Sequence, residues 1–248
     1  MLDITYPPVI LAAKTSFRLF NIHFTLTGGE HVPRTGGVVL ASNHVSYLDF
    51  IFCGYATQPS NRLVRFMAKK STFDHPVSGP LMRSMHHIPV DRAAGAASLD
   101  QAVDWLRKGE VVGVFPEATI SQSYEVKDFK SGAVRMAAEA GVPLVPMITF
   151  GGQRLWTKGR PREMTRGTLI ALRVGEPMTV THDDDPTTTT AELRARMQAL
   201  YDQTIEAYEP KPEPGAWWWP ARYGGGAPTL DEMREKEAAE RARRESGQ

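Results

Sequence analysis

Strand-like and helix-like stretches alternate along this chain from about residue 38 to residue 207, and this alternation constrains the fold more than any other feature. Val111-Val112-Gly113-Val114-Phe115 is the clearest buried strand, and Val38-Val39-Leu40-Ala41 is a second apolar run of strand length. An alternating order of this kind predicts an α/β fold with a mixed, mostly parallel sheet flanked by helices. At 248 residues and 42% hydrophobic content, the chain is large enough to bury one substantial core.

The remaining elements are predicted from periodicity and from turn residues. Strands are predicted at residues 63–68, 87–90, 144–150 and 168–174, and helices at residues 47–56, 76–85, 93–108, 130–140 and 191–207. Gly141 is the predicted C-cap of the 130–140 helix.

The N-terminal region, residues 1–28, predicts an amphipathic helix that begins at Pro7-Pro8 and ends at Gly28-Gly29. Lys14 and Arg18 interrupt its apolar stretch and argue against a transmembrane span. The apolar stripe consists of Val9, Ala13, Phe17, Phe20 and Phe24, and the polar stripe of Lys14, Arg18, Asn21 and Thr25. The helix can lie in a bilayer interface or pack on its own domain, and the three phenylalanines favour the membrane.

We predict a main domain at residues 29–208 and a C-terminal segment at residues 209–248. Trp217-Trp218-Trp219 follows several prolines and can be an interfacial anchor or a strap packed across the domain. Residues 230–248 carry many charges of both signs, which is typical of a solvated helix or a disordered tail.

Charge and cysteine content exclude several classes of protein. The formal net charge of +1 gives no indication of a nucleic-acid partner. The single cysteine, Cys53, excludes an internal disulfide and a cysteine-rich zinc site, and it fits a reducing cytosolic setting. Basic residues cluster at 62–92 and 154–166, where they suit anionic lipids or the phosphates of coenzyme A, or simply form solvated faces.

The sequence His44-Val45-Ser46-Tyr47-Leu48-Asp49 places an imidazole and a carboxylate where a strand is predicted to lead into a helix. Active sites of open α/β sheets lie at the carboxyl ends of strands. A bend there allows Asp49 to reach one ring nitrogen of His44, which leaves the other nitrogen as a proton acceptor. The pattern favours a general base for a hydroxyl group. Ser46-x-x-Asp49 is also a plausible capping box, in which case His44 is an ordinary loop histidine.

Three further segments follow predicted strands. Arg92 comes after a short strand, and its guanidinium suits a phosphate. Glu117 and Thr119 lie at the mouth of the clearest strand, where Glu117 can accept hydrogen bonds from a polyol or hold a cationic side chain. Lys130 begins a predicted helix, whose free N–H groups favour an anion. His86-His87 has no third ligand at a recognisable spacing, so no metal is predicted.

The order of these segments resembles that of the 1-acylglycerol-3-phosphate acyltransferase family. The resemblance rests on Asn-His-x-Ser-x-x-Asp, a strand ending in Asp-Arg, Phe-Pro-Glu-x-Thr, Phe-Lys-x-Gly-Ala and Val-Pro-Leu-Val-Pro, from about residue 36 to residue 150. It implies a glycerolipid-acyltransferase-like fold, with His44 as the general base and Asp49 as its partner. It also implies that Arg92 and the block of Glu117 and Thr119 bind the glycerol phosphate, and that Lys130 matches a lysine of the family.

The resemblance further implies transfer of a fatty acyl group from an acyl thioester, acyl-CoA or acyl-ACP, to the free hydroxyl of lysophosphatidic acid, giving phosphatidic acid. No bound cofactor or metal is implied, and the expected place of work is the cytoplasmic side of the cell membrane as a peripheral protein. Direct attack by the acceptor also fits the absence of a G-x-S-x-G nucleophile elbow.

One block departs from the family. Where the family commonly has Phe-Pro-Glu-Gly-Thr-Arg, this chain has Ala118 and Ile120. Ala118 disfavours a positive φ, and Ile120 removes a cation that can meet phosphate. Three alternatives therefore stay open: an acyltransferase for another lysophospholipid or hydroxyl acceptor, a non-catalytic membrane-binding relative, and a hydrolase that releases acyl groups to water.

Overall fold

The computed structural model describes residues 3–76, 78–91 and 95–245. Within them, one seven-stranded sheet has the order β1-β7-β6-β2-β5-β3-β4. The strands are β1 (His23–Thr27), β2 (Val38–Ser42), β3 (Val64–Lys69), β4 (Ile88–Val90), β5 (Val111–Val114), β6 (Leu144–Phe150) and β7 (Leu169–Val174). All neighbouring pairs are parallel except β6 and β7, so the sheet is mixed and mostly parallel, as predicted.

Helices cover both faces of this sheet. They are α1 (Tyr6–Leu19), α2 (Asp49–Ala56), α3 (Lys70–Asp74), α4 (Ser78–Ser84), α5 (Gly95–Arg107), α6 (Gly132–Ala140), α7 (Pro186–Ala207) and α8 (Leu230–Glu245). Gly141 caps α6 with a φ of 64°, which confirms the predicted C-cap.

The alternation of side chains along β2 divides the core between the two faces. Val39 and Ala41 face a cluster that includes residues of α5, α6 and α7. Val38 and Leu40 face a second cluster, to which α2 contributes and against which Phe17 of α1 packs. All five residues of β2 are buried, and the carboxyl end of this central strand leads directly to His44.

The predicted N-terminal helix is too long. It ends at Leu19, Asn21 takes a positive φ of 51°, and residues 23–27 form β1 instead. The alternation in His23-Phe24-Thr25-Leu26-Thr27 has the period of a strand, and the parallel partner β7 satisfies its backbone. The apolar residues predicted to form one helical stripe as far as Phe24 therefore belong partly to α1 and partly to β1.

Phe17 of α1 and Phe24 of β1 face the protein, contrary to the membrane-facing orientation predicted from the sequence. The Phe17 ring lies 4.8 Å from the Phe24 ring, and it also contacts Phe52 and Tyr55 of α2. Burial against aromatic partners on the domain satisfies this face. The exposed face of α1 carries different apolar residues, Leu11 and Leu19, which are 67% and 64% exposed.

The C-terminal segment packs onto the sheet domain. Trp219 is 4% exposed and contacts Phe150 at a ring separation of 5.4 Å, so residues 217–219 form a strap rather than an exposed anchor. The charged stretch after it is helical, as one of the two interpretations predicted, and forms α8.

Many cations of the two basic clusters are used inside the fold. Arg65 is 1% exposed and pairs with Asp3, and Arg62 donates to three backbone carbonyl groups. Arg154, Arg160 and Arg162 lie over the rings of Trp218, Trp217 and Trp156. These cations stabilise loops and the tryptophan strap. Fewer cations of the two clusters are therefore available to bind lipid headgroups.

Candidate active site

The predicted histidine and aspartate meet at the carboxyl end of β2. His44 lies in the loop after this strand, and Asp49 is the first residue of α2. The Nδ1 atom of His44 lies 2.9 Å from Oδ2 of Asp49. Because an ionised carboxylate only accepts hydrogen bonds, this contact assigns the ring proton to Nδ1. Nε2 is then left with a lone pair that can accept a proton.

Asp49 is completely buried, and its carboxylate is held by several donors. Oδ2 also accepts from the backbone N–H groups of Val45 and Ser46, each at 2.7 Å. Oδ1 accepts from the hydroxyl of Thr149 at 3.0 Å. These hydrogen bonds offset the cost of burying the charge. The N-cap of α2 is Leu48 and Asp49 is its first residue, so Ser46-x-x-Asp49 does not form the capping box that was the alternative interpretation. Asp49 instead holds the backbone of residues 45–46 and orients His44 with the same oxygen.

Thr149 was missed by sequence reasoning. This β6 residue holds Asp49 with its side chain and the preceding loop with its backbone, because Asn43 bonds both its N–H and its C=O groups. The two Asn43 contacts are 2.8 and 3.0 Å long. The only indication in the sequence is that Thr149 lies near the end of a predicted strand, where polar residues of parallel neighbours come together.

The His44 ring is packed as well as hydrogen-bonded. It stacks on Phe115 with a centroid separation of 4.2 Å, and Phe66 also stacks on Phe115, at 6.0 Å. The His44 side chain retains 20% exposure. The imidazole is therefore held against an apolar ring, yet part of it stays exposed.

Glu117 lies beside this pair, but its carboxyl group is almost entirely buried. It is 5% exposed, and burial raises its pKa to about 8, with the nearby Lys127 ammonium opposing the shift. The backbone N–H groups of Lys127 and His44 lie close enough to lower the pKa as well. Neither carboxyl oxygen makes a hydrogen bond to any described residue. At neutral pH the group is mainly protonated, so it can donate one hydrogen bond as well as accept.

Thr119 is already occupied by protein groups. Its hydroxyl accepts a hydrogen bond from Nζ of Lys127 at 2.5 Å and donates to the Glu237 carboxylate on α8 at 3.2 Å. Lys127 and Glu237 form an ion pair of 2.8 Å. Sequence reasoning missed both residues, because 110 positions separate them and neither belongs to a recognisable motif.

The other predicted binding residues are not shown in contact with the pair. The Lys130 side chain is exposed and precedes α6, while its backbone N–H donates to the carbonyl of Pro116. Arg92 falls outside the described residues. Asp91, its neighbour, forms an ion pair with Lys70 at 3.0 Å.

The two departures in the block after β5 have structural consequences. Ala118 adopts a φ of 61°, the left-handed conformation that disfavours a side chain. Ile120 is 5% exposed and takes part in the core, so it leaves no polar group at that position. The backbone of the same loop contacts the loop that carries His44, because Ser121 N–H donates to the His44 carbonyl at 2.7 Å.

The paired histidines have separate surroundings. His87 is buried, its Nδ1 accepts from the Phe66 N–H at 3.0 Å, and burial lowers its pKa to about 4. Within residues 3–76, 78–91 and 95–245, no group of three or more His, Cys, Asp or Glu side chains is arranged to hold a metal ion.

Comparisons with known proteins identify the family of the chain. The sequence profile of the family described as Acyltransferase matches residues 23–149, which include His44, Asp49, Glu117 and Thr149. A 1-acyl-sn-glycerol-3-phosphate acyltransferase of Bacillus subtilis is 31% identical over 174 residues, which cover 68% of this chain and 77% of that protein. The enzyme of the same name from Limnanthes douglasii is 31% identical over 145 residues, and this chain spans 50% of its length.

A solved structure shares the fold. The 1-acyl-sn-glycerophosphate (LPA) acyltransferase PlsC of Thermotoga maritima superposes with a TM-score of 0.64 at 21% sequence identity, covering 80% of this chain and 79% of that one. At this identity the match supports the architecture. Since the profile spans half of the chain and the Bacillus subtilis relative is matched over more than two thirds of its length, the chain belongs to the Acyltransferase family.

Proposed function

We propose that this protein transfers a fatty acyl group from an acyl thioester to the free hydroxyl of lysophosphatidic acid, giving phosphatidic acid. The observation that carries the proposal is the 2.9 Å contact between His44 Nδ1 and Asp49, which leaves Nε2 as a base. The names of the Bacillus subtilis and Limnanthes douglasii relatives support the choice of acceptor.

The chemistry needs one proton acceptor and no covalent intermediate. Nε2 of His44 takes the proton of the acceptor hydroxyl as its oxygen attacks the thioester carbonyl. The new C–O bond forms, the C–S bond breaks, and the thiolate takes the proton from the imidazolium as it leaves. A positioned base of this kind contributes about 10²–10⁴-fold in rate. Asp49 stabilises the imidazolium formed on the way.

Four residues are proposed to bind the acceptor. Glu117 faces the His44 loop and, when protonated, is suited to donate a hydrogen bond to a glycerol oxygen. Thr119 and Lys130 lie on the loop after β5 and at the start of α6, and Arg92 follows β4. The donor is acyl-CoA or acyl-ACP, and no bound cofactor or metal is proposed.

A second acceptor class is favoured by one observation. The buried Ile120 provides no cation for a phosphate. An enzyme for another lysophospholipid or another hydroxyl acceptor would use the same base and the same thioester chemistry. The paired His44 and Asp49 support a catalytic protein over a purely membrane-binding relative, since binding alone requires neither.

The lipid substrates support a peripheral position on the membrane, on its cytoplasmic side. No helix in the described part of the chain is both long and apolar enough to cross a bilayer. The exposed face of α1 combines Leu11 and Leu19 with Lys14 and Arg18. Leucines beside cations are typical of a helix that lies in the interface. We therefore propose this face, rather than the phenylalanine stripe, as the membrane contact.

The test is thiol release from a long-chain acyl-CoA in detergent micelles, with and without lysophosphatidic acid, while the lipid product is followed. We expect acceptor-dependent release in the wild type and a loss of on the order of 10²-fold or more in His44→Ala. His23→Ala is the matched control, because His23 is an exposed histidine on the edge strand β1. It should retain wild-type activity.

Two results would contradict the proposal. Release that is independent of the acceptor, with free fatty acid as product, would indicate a hydrolase. Acylation of other hydroxyl acceptors but not of lysophosphatidic acid would keep the acyltransferase chemistry and reject the acceptor.

A further inference from the structure

Helix α8 lies across the loop that follows β5, beside the candidate active site. Glu237 contacts Lys127 and Thr119, and Glu240 pairs with Lys158 at 3.0 Å. Met233, the buried apolar residue of this helix, packs with its sulfur 3.6 Å from the Ser121 hydroxyl. Helix α8 thus covers residues 119–121. These residues belong to the block that resembles the acceptor-binding motif of the family.

The contact made by Glu237 has the form of an anion site. Lys127 supplies an ammonium group whose side chain is 7% exposed, and Thr119 supplies a hydroxyl. Oε1 of Glu237 lies 2.8 Å from the ammonium and 3.2 Å from the hydroxyl. A phosphate oxygen accepts the same two hydrogen bonds that this carboxylate oxygen accepts. Lys127 and Thr119 therefore form a site suited to an anion, and the Glu237 carboxylate occupies it.

This anion site adjoins the proposed base. The charge of the Lys127 ammonium lowers the pKa of the Glu117 carboxyl, and the backbone N–H groups of Lys127 and His44 both lie near that carboxyl. Ser121 holds the His44 carbonyl from the same loop. The loop that carries the anion site is thus in contact with the loop that carries His44, and this placement suits a phosphate and a reacting hydroxyl on the same glycerol.

We propose that Lys127 and Thr119 form the site for the acceptor's phosphate monoester, and that Glu237 occupies it until the acceptor displaces α8. This rests on the proposed function. Ile120 offers no cation, whereas Lys127 is a buried ammonium that contacts Thr119 and whose charge acts on Glu117. An acceptor with a dianionic headgroup can displace the Glu237 carboxylate from Lys127, whereas an acceptor without a charged headgroup cannot. The competition therefore favours phosphate-bearing acceptors.

The attachment of α8 is weak enough for displacement. Most of its described side chains are exposed, and Met233 is its single fully buried anchor among them. The ion pairs of Arg234 with Asp128 and of Lys158 with Glu240 are partly solvated, and such pairs contribute about 0–1 kcal/mol each. Thr229 and Glu232 bond each other's backbone N–H groups, so the start of the helix is capped independently of the domain.

The test compares Glu237→Gln with Glu240→Gln in the full chain. Both variants remove one carboxylate from α8, but only the first removes the anion from Lys127. We expect Glu237→Gln to lower the KM for lysophosphatidic acid about fivefold, because the phosphate no longer has to break the ion pair between Glu237 and Lys127. A fivefold change corresponds to about 1 kcal/mol, the free energy that one such ion pair contributes. The KM for a monoacylglycerol of the same chain length should not change. Glu240→Gln should leave both values near those of the wild type.

A second measurement follows α8 directly. Trypsin cleaves after Arg and Lys, and α8 contains Arg234 and Lys236. Cleavage within a helix requires local unfolding, which is easier once α8 has left the domain. Lysophosphatidic acid should accelerate this cleavage in the wild type, whereas monoacylglycerol should not. Equal KM values in the two variants, a raised KM in Glu237→Gln, or cleavage unaffected by lysophosphatidic acid would each overturn the inference.

Failure of the proposed function gives a different pattern. In that case neither the wild type nor the variants form phosphatidic acid. The anion site is then judged by trypsin cleavage with sn-glycerol 3-phosphate against glycerol. Faster cleavage with the phosphate supports the site, and no difference rejects it.

Discussion

Asp49 shows how one side chain serves two purposes at this site. Its Oδ2 atom accepts three hydrogen bonds, two from backbone N–H groups and one from the His44 ring. The same oxygen atom therefore holds the backbone of the loop before α2 and orients the imidazole. A carboxylate fixed by the backbone is a rigid reference against which the imidazole can be oriented.

The surroundings of Glu117 change the protonation of its carboxyl group. The pKa of its carboxyl is raised from 4.5 to about 8, mainly by burial. Between these values the folded protein binds a proton that the unfolded chain releases. The free energy of unfolding therefore contains a contribution that is complete below the unfolded pKa and is lost as pH rises through the folded pKa.

We predict that Glu117→Gln lacks this pH dependence. The amide cannot ionise, so the variant should gain stability relative to the wild type as pH rises from about 5 to about 8, by at most about 1.4 kcal/mol per pH unit. Urea unfolding of both proteins at several pH values measures the difference. Parallel stability curves across this range would show that Glu117 ionises normally.

At the scale of elements, the strands at the site follow from local pattern. The predicted strands at residues 38–42, 111–115 and 144–150 correspond to β2, β5 and β6.

Helix α7 begins at Pro186, earlier than predicted, because Asp185 accepts from the Thr188 N–H and Pro186 occupies the first turn. That Asp-Pro pair was the available indication. By contrast, the prediction of helix for residues 23–27 is wrong. These five residues form β1 because they pair with β7, and a strand partner that far along the chain leaves no signal in the local sequence.

The loop after β5 contains strain that a single substitution should relieve. Ala118 has a φ of 61° and an exposed side chain. We predict that Ala118→Gly raises the free energy of unfolding by about 1 kcal/mol, since an alanine in this conformation costs roughly 1–2 kcal/mol and glycine loses part of that gain to unfolded-state entropy.

Denaturant unfolding measures this effect, with Ala12→Gly as a control of opposite sign. Ala12 is exposed within α1, where glycine should lower stability by about 0.5–1 kcal/mol. A loss of stability in Ala118→Gly would show that the alanine methyl makes contacts that outweigh the backbone cost.

At the scale of the whole molecule, the two faces of the sheet have different surroundings. The face with α5, α6 and α7 is sealed by the tryptophan strap. The face with α1 and α2 carries the exposed apolar side chains Leu11, Leu19 and Phe50. This asymmetry motivates the membrane-facing side proposed above, since isolated exposed leucines on one helix are suited to insert among lipid chains.

We predict that Leu11→Asp and Leu19→Asp each weaken binding to anionic lipid vesicles about tenfold, because each removes an apolar side chain from the interface. Co-sedimentation with the vesicles measures the loss. Ala195→Asp, an exposed position of α7 on the other layer, is the matched control and should bind normally. If all three variants bind alike, α1 is not the membrane contact.

The sequence alone determined the alternation of strands and helices and the meeting of His44 with Asp49. Both depend on short separations, five residues in the case of the pair, which backbone geometry within one turn largely fixes. Tertiary structure decided the rest. Thr149 reaches Asp49 across 100 positions and Glu237 reaches Lys127 across 110. Whether Phe17 faces lipid or α2 depends likewise on packing. Such contacts depend on sheet register and on how helices dock, and local periodicity carries no information about either.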